Sequence, residues 1–181
     1  CLLDFPIREL SGRKIGIIGY GHLGQGVARI AEAFGMQVLI AGRSGADQRA
    51  GRMPLELLLP QVDVLSIHCP LTDETRNLID ASALSLMKKE AVVVNVARGG
   101  VVDEQALADA LRSGELAGAA TDVLTEEPPR NDNPLLLPDI PNLIVTPHSA
   151  WGSKEARQRI IDQTVDNIKN HSGQNTVRRI V

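Results

Sequence analysis

The strongest constraint on this chain is a cluster of glycines where one periodicity gives way to another. Lys14-Ile-Gly-Ile-Ile-Gly19 reads as a short apolar strand ending in glycine. The next stretch spaces Leu23, Val27, Ile30, Ala31 and Phe34 as a helix does, and Gly35 is a natural stop. Gln37 to Ala41 is a second strand, which completes a βαβ unit. At the strand–helix junction stands Gly19-Tyr-Gly-His-Leu-Gly24, a G-x-G-x-x-G pattern. Gly19 permits the tight turn, Gly21 lets backbone approach a pyrophosphate, and Gly24 lets the helix pack on the sheet. Alone the pattern is weak; its place after a strand and before a helix gives it meaning. It reads as a dinucleotide site, with phosphates on the helix N-terminus. The competing interpretation is glycines that serve close packing only.

The rhythm repeats down the chain. Leu55 to Leu59 is helical, Val62 to Ile67 a strand, and Asp80 to Leu86 a helix that Asp80 caps. Ala91 to Val96 is a strand, Asp103 starts a helix that Gly114 stops, and Gly118 to Val123 and Leu143 to Val145 are strands. Ser153 caps a last helix with apolar positions at Ala156, Ile160, Ile161, Val165 and Ile168. Alternating strands and helices predict an α/β fold, a doubly wound (Rossmann-type) parallel sheet with helices on both faces. The loop 128–141 holds five prolines and is expected to be irregular but stiff. Apolar residues make up 43% of the 181 and aromatics 2%, so the core must be aliphatic. With a net charge of −3 and no basic stripe, nucleic acid is not expected as a partner. The apolar runs are too short for a membrane span. Two cysteines, Cys1 and Cys69, make no disulfide framework, which points to a reducing, cytoplasmic setting. The histidines and cysteines lack metal-ligand spacing, so no metal is expected.

Three polar side chains follow three apolar runs: Arg98 after Ala91 to Ala97, Glu127 after Gly118 to Leu124, and His148 after Leu143 to Pro147. Ligands of open α/β sheets gather outside the carboxyl ends of the strands. A cation, an acid and a histidine gathered there would make a proton-transfer site. Each also has a plainer interpretation: a surface cation, a solvated loop acid with Glu126 as its rival, and a structural histidine. His68 reads as a strand-end hydrogen bonder, His171 as a solvent-facing tail residue, and Cys69 as a packing residue. After the second strand, Gly42 stands where an acid would bond a ribose 2′-hydroxyl, and Arg43 and Ser44 follow. That leans toward NADP(H) over NAD, with a solvated loop arginine as the alternative.

These residues bring a family into view. The chain resembles the D-isomer-specific 2-hydroxyacid dehydrogenases. The matching segments are Gly16 to Gly24, Ile67-His-Cys-Pro-Leu71, Val94-Asn-Val-Ala-Arg-Gly-Gly100, Val102-Asp103, Gly118 to Val123, Glu127-Pro128 and Thr146-Pro-His-Ser-Ala-Trp151, in the family's order. The last is similar to the hydroxypyruvate reductase (glycerate dehydrogenase) branch. The resemblance implies that Arg98 holds the carboxylate and carbonyl of a 2-oxo acid. It implies that His148 protonates the carbonyl oxygen as hydride arrives, and that Glu127 pairs with the histidine. It places Gly19, Gly21, His22, Leu23 and Gly24 on the pyrophosphate. Cys69, Pro70, Ala97 and Asp122 would line the nicotinamide and its ribose, and Ser149 and Ala150 would also bind the cofactor. The chemistry agrees: a histidine titrating near about 6.5 can give and recover a proton near neutrality. A neighbouring carboxylate favours its protonated form, and a guanidinium suits a planar 2-oxo acid. Trp151 is a candidate for substrate specificity, against ordinary packing.

Family members carry a second, substrate-binding domain. Residues 1–12 are therefore expected to be an interdomain linker and 13–152 the dinucleotide-binding domain. Residues 153–181 are expected to form a helix and tail returning to a substrate domain whose N-terminal part is absent. Such a chain should bind cofactor yet turn over little by itself. The resemblance also implies a homodimer built through the cofactor domain. The leading expectation is an NAD(P)-dependent enzyme for small 2-oxo or D-2-hydroxy acids, above all hydroxypyruvate or glyoxylate. The alternatives are a catalytically silent NAD(H)-sensing module that binds protein partners, as corepressors of this family do, and a family enzyme acting on formate or phosphite.

Overall fold

The computed structural model describes residues 7–43, 49–130 and 132–170. The chain divides into two compact units, Cys1–Pro147 and His148–Val181. In the first, the described strands form one parallel sheet of seven: β1 (Lys14–Ile18), β2 (Gln37–Ala41), β3 (Arg52–Met53), β4 (Val64–Ile67), β5 (Val92–Asn95), β6 (Gly118–Thr121) and β7 (Leu143–Val145). Their order is β3-β2-β1-β4-β5-β6-β7, and every neighbouring pair is parallel. The order reverses between β1 and β4. A crevice opens at such a reversal because the connections leave the sheet toward opposite faces.

The helices are α1 (His22–Ala33), α2 (Leu55–Leu58), α3 (Ala81–Ser85) and α4 (Glu104–Ser113), with α5 (Lys154–Asn170) in the second unit. Local chemistry sets their ends. Asp80 accepts from the Ala83 N–H at 2.8 Å and Asp103 from the Ala106 N–H at 3.0 Å, each satisfying one otherwise orphaned donor. Gly114 closes α4 with φ 69°, where a side chain would be strained. Ser153 Oγ accepts from the Ala156 N–H at 3.1 Å at the start of α5.

The core is aliphatic. Leu58, Leu59, Val62, Leu65, Ile67, Ile79, Val93, Val101 and Leu107 are essentially inaccessible on one side of the sheet. Ile15, Ile17, Ala28, Ala31 and Met36 form a smaller cluster under α1. That cluster changes the expectation for α1. Its buried face is Gly24, Ala28 and Ala31, whereas Leu23, Ile30 and Phe34 are 73%, 60% and 60% exposed. Small residues win because the helix lies close on the strands: a Cβ on Gly24 would meet the Gly19 carbonyl oxygen at 2.2 Å.

Two further differences from the sequence reading appear. β3 is a two-residue strand, too short to leave a pattern, and it pairs with Ile40 and Ala41. The proline-rich loop holds a 3₁₀ turn, Pro134–Leu136, whose Leu135 is buried. This loop is strapped along α4. Arg112 donates to both carboxylate oxygens of Asp139 (2.8 and 3.3 Å), and Glu104 accepts from Asn133 Nδ2 at 2.8 Å. At the opposite, amino edge of the sheet, Asp63 accepts from the Lys14 N–H at 2.8 Å and from Lys88 Nζ at 2.9 Å, with Arg13 at 3.7 Å. In the second unit α5 has no buried residue, and the apolar positions expected along it, Ile160, Ile161, Val165 and Ile168, are exposed. Among the described residues no helix is long and apolar enough to cross a membrane.

Candidate functional site

The glycine turn sits at the reversal between β1 and β4. Gly19 has φ 88°, and a Cβ there would come 2.5 Å from the Cys69 N and 2.6 Å from the His68 carbonyl carbon. Only glycine lets the turn after β1 touch the end of β4 this closely. The contact is reinforced by the His68 N–H, which donates to the Ile18 carbonyl at 2.7 Å. Gly21 is the opposite case: nothing lies within 4 Å of where its Cβ would be. It therefore borders open space that a ligand can enter. α1 begins at His22 with no side-chain cap and no acid in its first turn. Its first N–H groups thus lack a competing side-chain acceptor, and the helix dipole favours an anion there. Glycine turn, open Gly21 and uncapped helix start together fit a dinucleotide pyrophosphate.

Cys69 and Pro70 follow the end of β4. Cys69 is buried in the core, and burial pushes its thiol up, with a backbone hydrogen bond opposing. Pro70 is exposed beside it. His68 is the strand-end hydrogen bonder anticipated, its Nε2 2.9 Å from Ser66 Oγ, and burial holds its imidazole below the ordinary range. At the far end of β2, Arg43 is exposed and Gly42 is pinned by its N–H to the Met53 carbonyl at 2.8 Å. Ser44 and His171 lie outside the described residues.

Arg98 leaves β5 through a turn that the sequence reading overlooked. Asn95 is buried; its Nδ2 donates to the Arg98 carbonyl at 2.9 Å and its Oδ1 accepts from the Ala97 N–H at 3.1 Å. One amide thus closes the turn and delivers an exposed Arg98 beyond a buried Ala97. The signal was present: Asn95 is the single polar residue inside the apolar run 91–97. Gly99 then lies directly against the end of β6, for a Cβ on it would fall 2.0 Å from the Leu124 carbonyl carbon. So the loop carrying Arg98 touches the loop carrying Glu127. Glu127 is exposed, is joined to Pro128 by a cis peptide bond, and accepts from the Leu124 N–H at 2.8 Å. Asp122, buried at the end of β6, accepts a short hydrogen bond from Thr146 Oγ1 beyond β7. The first unit therefore gathers the glycine turn, Cys69, Pro70, Ala97, Arg98, Asp122 and Glu127 at the carboxyl edge of its sheet.

His148 is the first residue of the second unit, half-buried and with φ 49°. Few non-glycine residues take that left-handed conformation, and those that do cluster at functional sites. Ser149 and Ala150 follow it and are exposed; Trp151 is 55% exposed. Among the described residues no group of three or more His, Cys, Asp or Glu is placed to hold a metal. A groove of about 230 Å³ runs beside the proline-rich loop, lined by residues that include Glu104, Thr125, Glu126, Arg130 and Asn133; neither the glycine turn nor Arg98 lines it.

Comparison with known proteins gives these features a setting. The family described as D-isomer specific 2-hydroxyacid dehydrogenase, NAD binding domain, matches residues 3–150. Glycerate dehydrogenase from Methylorubrum extorquens is 50% identical over 169 residues, 93% of this chain and 53% of its own length. Hydroxypyruvate reductase from Blautia hydrogenotrophica is 42% identical over 173 residues, 93% of this chain and 53% of its own. Among solved structures, an acyclic imino acid reductase in complex with NADPH and D-Arg superposes with a TM-score of 0.89 at 35% identity, covering 100% of this chain and 58% of that one. The chain thus spans about half the length of the curated relatives it matches.

Proposed function

Because this chain belongs to the D-isomer specific 2-hydroxyacid dehydrogenase family, in its NAD-binding domain, we propose that it serves hydride transfer between a nicotinamide dinucleotide and a small 2-oxo or D-2-hydroxy acid, hydroxypyruvate or glyoxylate first. The observation that carries the reading is that a glycine turn open beside Gly21 and the touching loops of Arg98 and Glu127 lie at the same edge of one sheet. The names of the relatives support the substrate class.

A dinucleotide held there would supply the hydride. The residues named here do the rest. Gly19, Gly21 and the first N–H groups of α1 hold the pyrophosphate, with Leu23 and His22 contributing backbone. The Cys69–Pro70 step, Ala97, Asp122 and the Ser149–Ala150 pair border the nicotinamide end. Arg98 engages the substrate carboxylate and carbonyl through a fork of N–H donors, which fixes the plane of the acid. His148 donates the proton that the new alkoxide requires and recovers it in the reverse direction. Glu127 is the carboxylate we assign to the same acid–base set. Trp151 shapes substrate preference.

For the nucleotide, we propose a preference for NADP(H). Arg43 at the end of β2 suits a 2′-phosphate, and Gly42 offers no carboxylate to a 2′-hydroxyl. Residues 153–181 return to a substrate domain. The working form is a homodimer through the cofactor domain, which the exposed Leu23, Ile30 and Phe34 of α1 support; sedimentation equilibrium giving a monomer at micromolar concentration would reject it. A reducing cytoplasmic compartment suits the buried thiol of Cys69.

The test is a screen of 2-oxo acids against the intact protein, following absorbance at 340 nm with NADPH and NADH. Hydroxypyruvate or glyoxylate should lead, with Arg98→Gln and His148→Asn abolishing turnover. Reduction of none of the 2-oxo acids sinks the reading, and a tenfold preference for NADH sinks the cofactor assignment.

A further inference from the structure

One carboxylate next to this site has no part in the reaction as proposed. Glu104 is the first residue of α4 and is half-buried. Asp103 already caps the helix, so Glu104 is left for other partners. Its Oε1 accepts from the Thr125 N–H at 2.6 Å, and its Oε2 accepts from Asn133 Nδ2 at 2.8 Å. Asn133 is itself anchored: its Oδ1 accepts from the Leu135 N–H at 2.9 Å, and Leu135 is buried in the core. A single carboxylate therefore ties together the two ends of the segment 125–133. Glu127 lies two residues past Thr125, and the Leu124 N–H bonds it from the other side. Beyond Leu124 is Gly99, the residue after Arg98.

From this geometry we propose that Glu104 is a positioning residue. It holds the Glu127 loop down on α4 so that Glu127 keeps a fixed place relative to Arg98. Hydrogen bonds to an ionised acceptor are roughly twice as strong as neutral ones, and the start of a helix favours a carboxylate. Both effects make Glu104 a stiffer clasp than a neutral side chain of the same length. The proposal rests on the reading of Glu127 given above.

The two-ended bond allows a reciprocal swap. Glu104→Gln keeps an oxygen for Thr125 but turns an NH₂ toward the NH₂ of Asn133, donor against donor. Asn133→Asp alone sets two carboxylates against each other. The double variant Glu104→Gln/Asn133→Asp restores every bond: Gln donates to the new carboxylate, whose second oxygen still serves the Leu135 N–H.

The experiment uses the intact protein with hydroxypyruvate and NADPH. Each single variant should lower kcat about tenfold, with KM for the nucleotide within twofold of wild type, because the glycine turn is untouched. The pH profile of kcat/KM should move in the same direction as that of Glu127→Gln. Amide hydrogen exchange over 125–133 should accelerate. In the double variant kcat, profile and exchange should all return toward wild type. Single variants with wild-type kcat and pH profile overturn the proposal, as does a double variant that recovers protection over 125–133 without recovering kcat. If the wild-type protein reduces no 2-oxo acid, the functional reading fails instead. Exchange then decides whether the clasp exists, and unchanged exchange in Glu104→Gln rejects it.

Discussion

Gly99→Ala is the sharpest perturbation of the proposed site, because the added atom meets backbone rather than a yielding side chain. The new Cβ would lie 2.0 Å from the Leu124 carbonyl carbon, 2.1 Å from its oxygen and 2.2 Å from the Thr125 nitrogen. That is about 1.4 Å short of the 3.4 Å at which ordinary contact begins. Relief requires the end of β6 to move away from the end of β5 by about that distance, and both are held by ladder hydrogen bonds from Val92–Gly118 to Asn95–Thr121. Overpacking of a tight site costs roughly 1–3 kcal/mol. A clash with two consecutive backbone units belongs at the upper end, about 3 kcal/mol, which for a domain of this size lowers Tm by roughly 6–12 °C. The same displacement carries Glu127 away from Arg98, and a misplacement of about 1 Å can cost on the order of 100-fold in rate. Thermal denaturation followed by circular dichroism, with kcat/KM for hydroxypyruvate on the same preparation, reads both effects. A Gly99→Ala protein within 2 °C and twofold of wild type would refute the claim that these two loops are in contact, taking ~2 °C as less than 1 kcal/mol.

Gly26→Ala is the matched control: its Cβ meets only an Arg29 guanidinium nitrogen at 3.9 Å, in the middle of α1. It should raise stability by about 0.5–1 kcal/mol through helix propensity, read as a higher urea midpoint. Asp63→Asn should lower stability by about 1 kcal/mol at pH 7, since the acceptor survives but the charge facing Lys88 and Arg13 does not. Partial burial pushes the Asp63 carboxyl up, but the Lys14 N–H, Lys88 and Arg13 outweigh it and hold it below the ordinary carboxylate range. A depressed folded value means that the contribution is complete above the unfolded value of about 4 and is lost as pH falls through the folded one. Wild type and Asp63→Asn should therefore converge in urea midpoint as pH falls below the unfolded value, and a gap that does not narrow as the pH falls would contradict the assignment. His68, held low by burial, adds stability that is complete above about 6.5 and declines as pH falls. Ser66→Ala, which removes its hydroxyl partner, should weaken the junction of β4 with the glycine turn and loosen nucleotide binding severalfold by fluorescence titration.

Much of this was legible in the residues because the decisive features are local. The turn at Gly19, the caps at Asp80 and Asp103 and the stop at Gly114 each follow from what one residue does to its own backbone, and each stands as expected. What the residues hid depends on contact between distant segments. Of the apolar positions Leu23, Val27, Ile30, Ala31 and Phe34, Ala31 is buried and Val27 packs against its cluster, but close approach to the strands puts Gly24 and Ala28 on the buried face and leaves Leu23, Ile30 and Phe34 exposed. β3 exists only because Arg52 and Met53 meet the end of β2, and nothing in two residues can announce that. Glu104 reads as an ordinary first-turn acid; its bonds to Thr125 and Asn133 span 21 and 29 residues of sequence. Asn95 and Gly99 fix the turn that carries Arg98, and the bonds of Glu104 reach the segment on either side of Glu127.

We propose that the protein to which this chain belongs passes a hydride from a nicotinamide nucleotide to the carbonyl carbon of a 2-oxo acid. Turnover of hydroxypyruvate by the intact protein with nucleotide deuterated at C4, on the face it transfers, tests this in one measurement. The expected product is D-glycerate carrying deuterium at C2 and none elsewhere, with no product from His148→Asn. Product of the opposite configuration, product without deuterium, or no product from wild type would contradict it.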